Sequence, residues 1–216
     1  GVSVNYVPTA AVAGTVFNWT SSVTVGTVTG NTAVGGLGTI ADVLVNTTNV
    51  IGTVRYVITP VANGCSGTPF NVDVTVDPQP TLSTVVTPLS QVLCSNTAMV
   101  IDVNSATVPS AGSVVYDYVA VASDVSVTGF TASAINQSLA TNISNLNVLN
   151  SSLIRQTITY TITPKVLGGL ACAGPSVVVV ISIDPVPVVS SAATKSICSG
   201  VSVNYVPTAA VAGTVF

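Results

Sequence analysis

The stretch GTVRYVITPVANGCSGTPFNVDVTVDPQP, residues 52–80, decides the fold. Val72, Val74 and Val76 alternate with Asn71, Asp73 and Thr75. A side-chain period of two sets the valines on one face and the polar residues on the other, as in a strand that covers a core with one side. Val54, Tyr56 and Ile58 repeat the pattern one strand earlier, and a glycine-rich turn carrying Cys65 joins the two runs into a hairpin. Pro60, Pro69, Pro78 and Pro80 fall at strand ends, where a missing N–H does least harm.

A second, diverged copy lies downstream: RQTITYTITPKVLGGLACAGPSVVVVISIDPVP, residues 155–187. YVITP (56–60) matches YTITP (160–164), Cys65 matches Cys172, and DPQP (77–80) matches DPVP (184–187). LCSN (93–96) answers ICSG (197–200), and TVFNW (15–19) answers VVYDY (114–118). A third correspondence is an identity. GVSVNYVPTAAVAGTVF stands at residues 1–17 and again at 200–216, displaced by 199 residues. Seventeen identical residues exclude chance, and the sequence reads as a window on a tandem array slightly longer than one period. Each period holds two homologous domains. Residues 1–80 form the first, without its opening strand; residues 83–187 form a complete second; residues 190–216 begin a copy of the first. The missing opening strand is visible only at 192–198. Short strands about every 8–12 residues, with no long helical periodicity, give an all-β fold of antiparallel sandwiches.

Composition agrees with that class. Apolar residues make up 48% of the 216, so sizeable cores can be buried. Charged residues make up 5%, where an ordinary soluble domain has about 25%. Seven Asp face four cations (Arg55, Arg155, Lys165 and Lys195), and there is no Glu and no His. A net charge of −3 without a basic cluster lacks the footprint of a nucleic-acid binder. The longest apolar run, near residues 177–181, falls far short of the ~18 residues that a spanning helix needs, so no membrane insertion of this segment is expected. Catalysis has little to work with: no His moves a proton near neutrality, and a Ser or Thr nucleophile would lack its usual base. No enzyme is expected. The four cysteines (Cys65, Cys94, Cys172 and Cys198) form no CxxC or Cys/His cluster, so no metal site is expected of them. They read either as disulfides in an oxidising setting or as buried free thiols.

The pattern YxITP, then C-x-G, then an alternating strand, then DPxP, resembles the PKD-like, immunoglobulin-like repeats of very large Bacteroidota surface proteins. The likeness covers nearly the whole chain and recurs twice. It implies tandem Ig-like sandwiches, exported through the type IX system and displayed at the cell surface. A nearly uncharged, regular array is also similar to extracellular fibre material such as the grappling-hook filaments of predatory marine bacteria.

In that frame Cys94, at the opening strand, and Cys172, in the last hairpin, are expected to form one intrachain disulfide. Cys65 and Cys198 are expected to find partners in adjoining repeats. A Cys94–Cys172 bridge would be worth about 4–5 kcal/mol by chain entropy and would carry tension past most of the domain. Trp19 and Tyr118, each two residues from another aromatic (Phe17, Tyr116), read as core rather than as ligand platforms. Asp42, Asp73, Asp77, Asp117 and Asp124 are scattered and form no DxDxDG loop, so they read as turn and surface residues. No cofactor is expected; structural calcium is the alternative reading of these aspartates. The sequons at Asn18, Asn46, Asn136, Asn142 and Asn150 follow from a Thr-rich composition. Val178 and Val180 occupy the places of Asn71 and Asp73 in the first domain and should point outward. An exposed β-branched stripe on an uncharged surface points to a partner, here a neighbouring copy of the same chain. The expected role is a load-bearing segment of a long surface filament or stalk, the alternative an adhesin array that binds glycans or surfaces through its loops.

Overall fold

The computed structural model describes residues 2–87 and 91–216. Gly1 of the expected first domain and residues 88–90 of the expected second lie outside the described residues. Among the described residues there are seventeen strands and no helix. They divide into two compact units. One comprises residues 1–82, 105–116 and 163–175; the other comprises 83–104, 117–162 and 176–216.

The first unit contains β1 (Val2–Ser3), β2 (Val16–Val25), β3 (Val28–Thr29) and β4 (Gly36–Leu37). It continues with β5 (Val43–Asn46), β6 (Gly52–Ala62), β7 (Cys65–Ser66) and β8 (Phe70–Val76). One sheet runs β1-β5-β3; the other runs β4-β2-β6-β7, with β8 also paired to β6. Every pairing is antiparallel. The expected hairpin is present, closed by Asn63 and Gly64 at φ 50° and 79°. Two successive positive φ values make a type I′ turn, whose twist matches that of the strands it joins. Phe17, Trp19, Val54, Tyr56 and Ile58 from one sheet meet Val28 and Leu44 from the other, and Ile40 completes the core.

The remaining strands are β9 (Ser83–Thr87), β10 (Val92–Cys94), β11 (Thr97–Asn104), β12 (Ser113–Ala122) and β13 (Val127–Thr128). After them come β14 (Ser133–Ser138), β15 (Ile143–Asn150), β16 (Gln156–Leu167) and β17 (Val177–Asp184). They form the sheets β13-β15-β11-β9 and β10-β17-β16-β12-β14. Met99, Ile101, Ile143 and Val148 from the former are buried, as are Ile158, Tyr160, Val179, Ile181 and Ile183 from the latter. The Tyr160 hydroxyl lies 3.7 Å from the Met99 sulfur, which fixes the two faces against each other. The opening strand β10 pairs parallel to β17, with Cys94 level with Asp184.

The seventeen-residue repeat adopts two structures. At the start, Val2 and Ser3 pair with Leu44 and Val43, and Phe17 is buried. At the end, Val201 and Ser202 form no strand and Phe216 is 60% exposed. What is local survives in both copies. The Thr15 hydroxyl donates to Val12 C=O, and that of Thr214 to Val211 C=O, each at 2.7 Å. What needs a distant partner does not, because the 216 residues hold no second copy of β5. The strand expected at 192–198 is likewise not formed.

Candidate functional site

Strand β17 alternates as expected. Val179, Ile181 and Ile183 are buried, while Val178 and Val180 are 59% and 43% exposed. In register across β16, Val178 faces Thr161 and Val180 faces Thr159. Beyond β16, strand β12 adds exposed Val119 and Val121. The middle of this outer face is therefore valine and threonine, and the Arg155–Asp184 ion pair closes it at the end of β17, with Nε and Nη2 donating to the two carboxylate oxygens at 2.6 and 2.8 Å. The first unit carries a different pair at the corresponding positions. Arg55, one residue before Tyr56 as Thr159 is before Tyr160, lies in register with Asp73. Its Nε and Nη2 donate to the two Asp73 carboxylate oxygens at 2.7 Å each. Those hydrogen bonds hold Asp73 below the usual carboxylate range. Charge on an exposed strand discourages association with another sheet. The first unit keeps such charges at this site; the second has valine and threonine there.

The structure does not join Cys94 to Cys172: all four cysteines are free thiols. The reason lies in β16. Leu93 is level with Ile183, which pairs with Gln156 at one end of that strand. Near the other end, the Val166 N–H donates to Cys172 C=O at 2.8 Å. Gln156 to Val166 spans ten residues of strand, about 33 Å. A disulfide needs Cα atoms within about 7 Å. Cys94 and Cys172 thus stand at opposite ends of β16, and no intradomain bridge joins them in the structure. Cys65 sits where Cys172 does, level with Ala62 beside the hairpin turn. Gly67 and Gly174 then donate to Pro60 and Pro164 C=O in the same way, at 2.8 and 2.9 Å. Cys65, Cys94 and Cys198 are exposed and Cys172 is half-buried.

Both aromatic pairs lie in the cores. Trp19 meets Tyr56 edge-on at 5.6 Å, and Tyr118 meets Tyr160 at 6.0 Å. Phe17 and Tyr116 are buried as well. The two core tyrosines are held alike. Tyr56 donates to Asp42 Oδ2 at 2.8 Å, and Asn145 Nδ2 donates to the Tyr160 oxygen at 2.9 Å. Asp42 also accepts from the Thr32 N–H, as Asn145 accepts from that of Thr131. Burial pushes the Asp42 carboxyl up, but bonds from the Thr32 hydroxyl, the Thr32 N–H and Tyr56 outweigh it and hold it below its usual range. Burial, with the Asp42 bond and charge added, pushes the Tyr56 hydroxyl far up. Asp184 accepts from Arg155 Nε and Nη2 at 2.6 and 2.8 Å, which holds it below the usual carboxylate range. Asp77 accepts from the Ser110 N–H, Asp117 from Asn136 and Asp124 from Ser126. Among the described residues, no group of three or more His, Cys, Asp or Glu stands where it could hold a metal ion.

One pair of functional side chains escaped the sequence reading, which took them for sequons. Asn46 Nδ2 donates to Val50 and Val76 C=O, while its Oδ1 accepts from the Thr48 N–H and hydroxyl. Asn150 does the same with Ile154, Ile183 and Ser152. Each amide ties the turn before the longest strand to the end of the last strand. The signal was available: N-[ST]-[ST] recurs at one place in both repeats, just before β6 and β16.

A family model for the PKD-like domain matches residues 1–80 and again 91–187. The chain belongs to the PKD-like family. No curated protein matches it. All-β PKD-like domains are typically non-catalytic and commonly extracellular, and they serve as structural or adhesive modules. Among the described residues, no helix is long and apolar enough to cross a membrane.

Proposed function

We propose that this chain is a load-bearing segment of a long extracellular filament or stalk, and that copies associate side by side through the outer face of β17. One observation carries the reading. At matching positions the first unit holds the Arg55–Asp73 ion pair and the second holds Thr159 and Val180. With Val178, Val119 and Val121 this gives an exposed apolar patch, bounded on the same face by the Arg155–Asp184 ion pair, on a chain that is 5% charged. A second copy, equally uncharged, is its natural cover. The identical residues 1–17 and 200–216 favour a repeated building material over a surface that diversifies. Display at the surface of a Bacteroidota cell through type IX export belongs to the same reading. Negative-stain electron microscopy of a chain several periods long tests it. Bundles or uniform multi-chain fibres are expected; isolated thin rods at high concentration would contradict it.

A second reading has its own support in the first unit. An open groove is lined by Asn18, Trp19, Thr20, Gly36, Leu37 and Thr59. Such a groove suits an adhesin that takes a sugar. Glycan-array binding that is lost with Leu37→Arg, while fibres still form, would favour it.

A further inference from the structure

We infer that the cysteines bridge successive sandwiches rather than closing one: each opening-strand cysteine pairs with the hairpin-tip cysteine of the sandwich that follows it. The inference rests on the 199-residue period continuing, and not on lateral association.

Cys94 marks the place where the chain leaves its sheet. It lies in register with Asp184, the last residue of β17, and the Ser95 N–H donates to Asp184 C=O at 2.8 Å. Pro185 follows at once. Cys172 marks the opposite end of β16. Within the first unit, its hairpin end lies against the segment that leaves β8. The Gln79 amide donates to Ala173 C=O at 3.2 Å, and a Cβ on Gly174 would collide with Pro80 C=O.

Asp77 is the counterpart of Asp184, since both open a DPxP segment. The opening-strand cysteine that belongs beside Asp77 is seen one period later, as Cys198. Set against β8 as Cys94 is set against β17, it would stand next to Asp77. Gln79 is two residues further, at most about 7 Å. Cys172 is the neighbour of Ala173, which Gln79 touches. The exit cysteine of one sandwich and the tip cysteine of the next therefore converge on one short segment. The exit and tip cysteines of a single sandwich are about 33 Å apart. By the same rule Cys94 pairs with the Cys65 of the following period. All four cysteines then lack their partners within these 216 residues, and all four are free.

The step is an ordinary oxidation. Two S–H bonds break and one S–S bond forms. The two electrons and the two protons pass to a disulfide oxidant, whose own S–S bond breaks and which departs as two thiols. Three of the thiols are exposed, so such an oxidant can reach them. The resulting bridge spans each junction in parallel with the DPxP link, so tension between neighbouring domains has a covalent bypass.

The test counts thiols in the 216-residue chain and maps disulfides in a tandem chain of residues 1–199 joined to a second copy, each refolded in a glutathione redox buffer. Four free thiols are expected in the shorter chain. In the tandem, Cys94 should link to the second Cys65, and the first Cys198 to the second Cys172. Cys94→Ser should remove the former link and leave the latter. A Cys94–Cys172 peptide, two thiols in the shorter chain, or a tandem without disulfides would overturn the inference. Because fibre formation is read separately by microscopy, a failure here is distinguishable from a failure of the filament reading.

Discussion

Asn150→Ala is the substitution that most sharply tests how the second sandwich is held. The Asn150 side chain is almost wholly buried and makes four hydrogen bonds. Alanine leaves Ile183 and Ile154 C=O without that donor. Each stranded acceptor costs about 1–3 kcal/mol, so the change should cost about 4 kcal/mol. That is large beside the ~5–15 kcal/mol stability of a typical domain. With a urea m-value of about 2 kcal/mol/M, the midpoint followed by far-UV circular dichroism should fall by about 2 M. The single tryptophan, Trp19, belongs to the first unit and gives a separate signal. Asn46→Ala should move that signal by a similar amount, and Asn150→Ala should move it less. A fall under about 0.5 M for Asn150→Ala would show that the amide does not hold the turn to β17, and the reasoning would fail.

Three further outcomes follow from particular contacts. Asp42 has a lowered native pKa, so its stabilisation is full above its unfolded value of 3.8 and is lost as pH falls through the native value. Asp42→Asn, which copies Asn145, should cost about 1 kcal/mol at neutral pH and flatten the acid limb of stability below about pH 5. Denaturant curves at a series of pH values read both effects. Tyr160→Phe leaves the buried Asn145 amide without its acceptor and should cost about 1–3 kcal/mol, read by the same melts. Gly129 has φ 79°, and a Cβ there would run into Asn147 C=O, so Gly129→Ala should cost about 2–4 kcal/mol or prevent folding, visible in thermal melts.

Much of this architecture was legible because it is periodic. The valines of β8 and of β17 announce which side of each strand is covered. Asn63-Gly64 announces the turn, and the aromatics near Trp19 and Tyr118 announce two cores. What was hidden concerns pairing across distance. Cys94 and Cys172 look like partners because both flank the same sheet, but the sequence does not say at which end of a twelve-residue strand each one stands. Register decides that, and register comes from Leu93 meeting Ile183 and Val166 meeting Cys172. Asn46 and Asn150 were hidden by a commoner reading of the same letters. Their role depends on carbonyls of residues 76 and 183, some thirty residues away in each case. The two copies of GVSVNYVPTAAVAGTVF make the point within one molecule. The turn near Gly14 and Gly213 is written locally, while the strand at Val2 exists only because β5 is there to receive it.

Lateral association through the valine face is the central claim, and the first unit supplies the variant that tests it. Thr159→Arg with Val180→Asp transplants the Arg55–Asp73 pair onto the second sandwich without touching a buried residue. Sedimentation velocity of the unaltered and doubly substituted chains, each over a concentration series, reads the result directly. The unaltered chain should gain mass with concentration, and the substituted chain should stay monomeric with an unchanged circular dichroism spectrum. A monomer in both cases, or assembly that is indifferent to the new charges, would contradict the account.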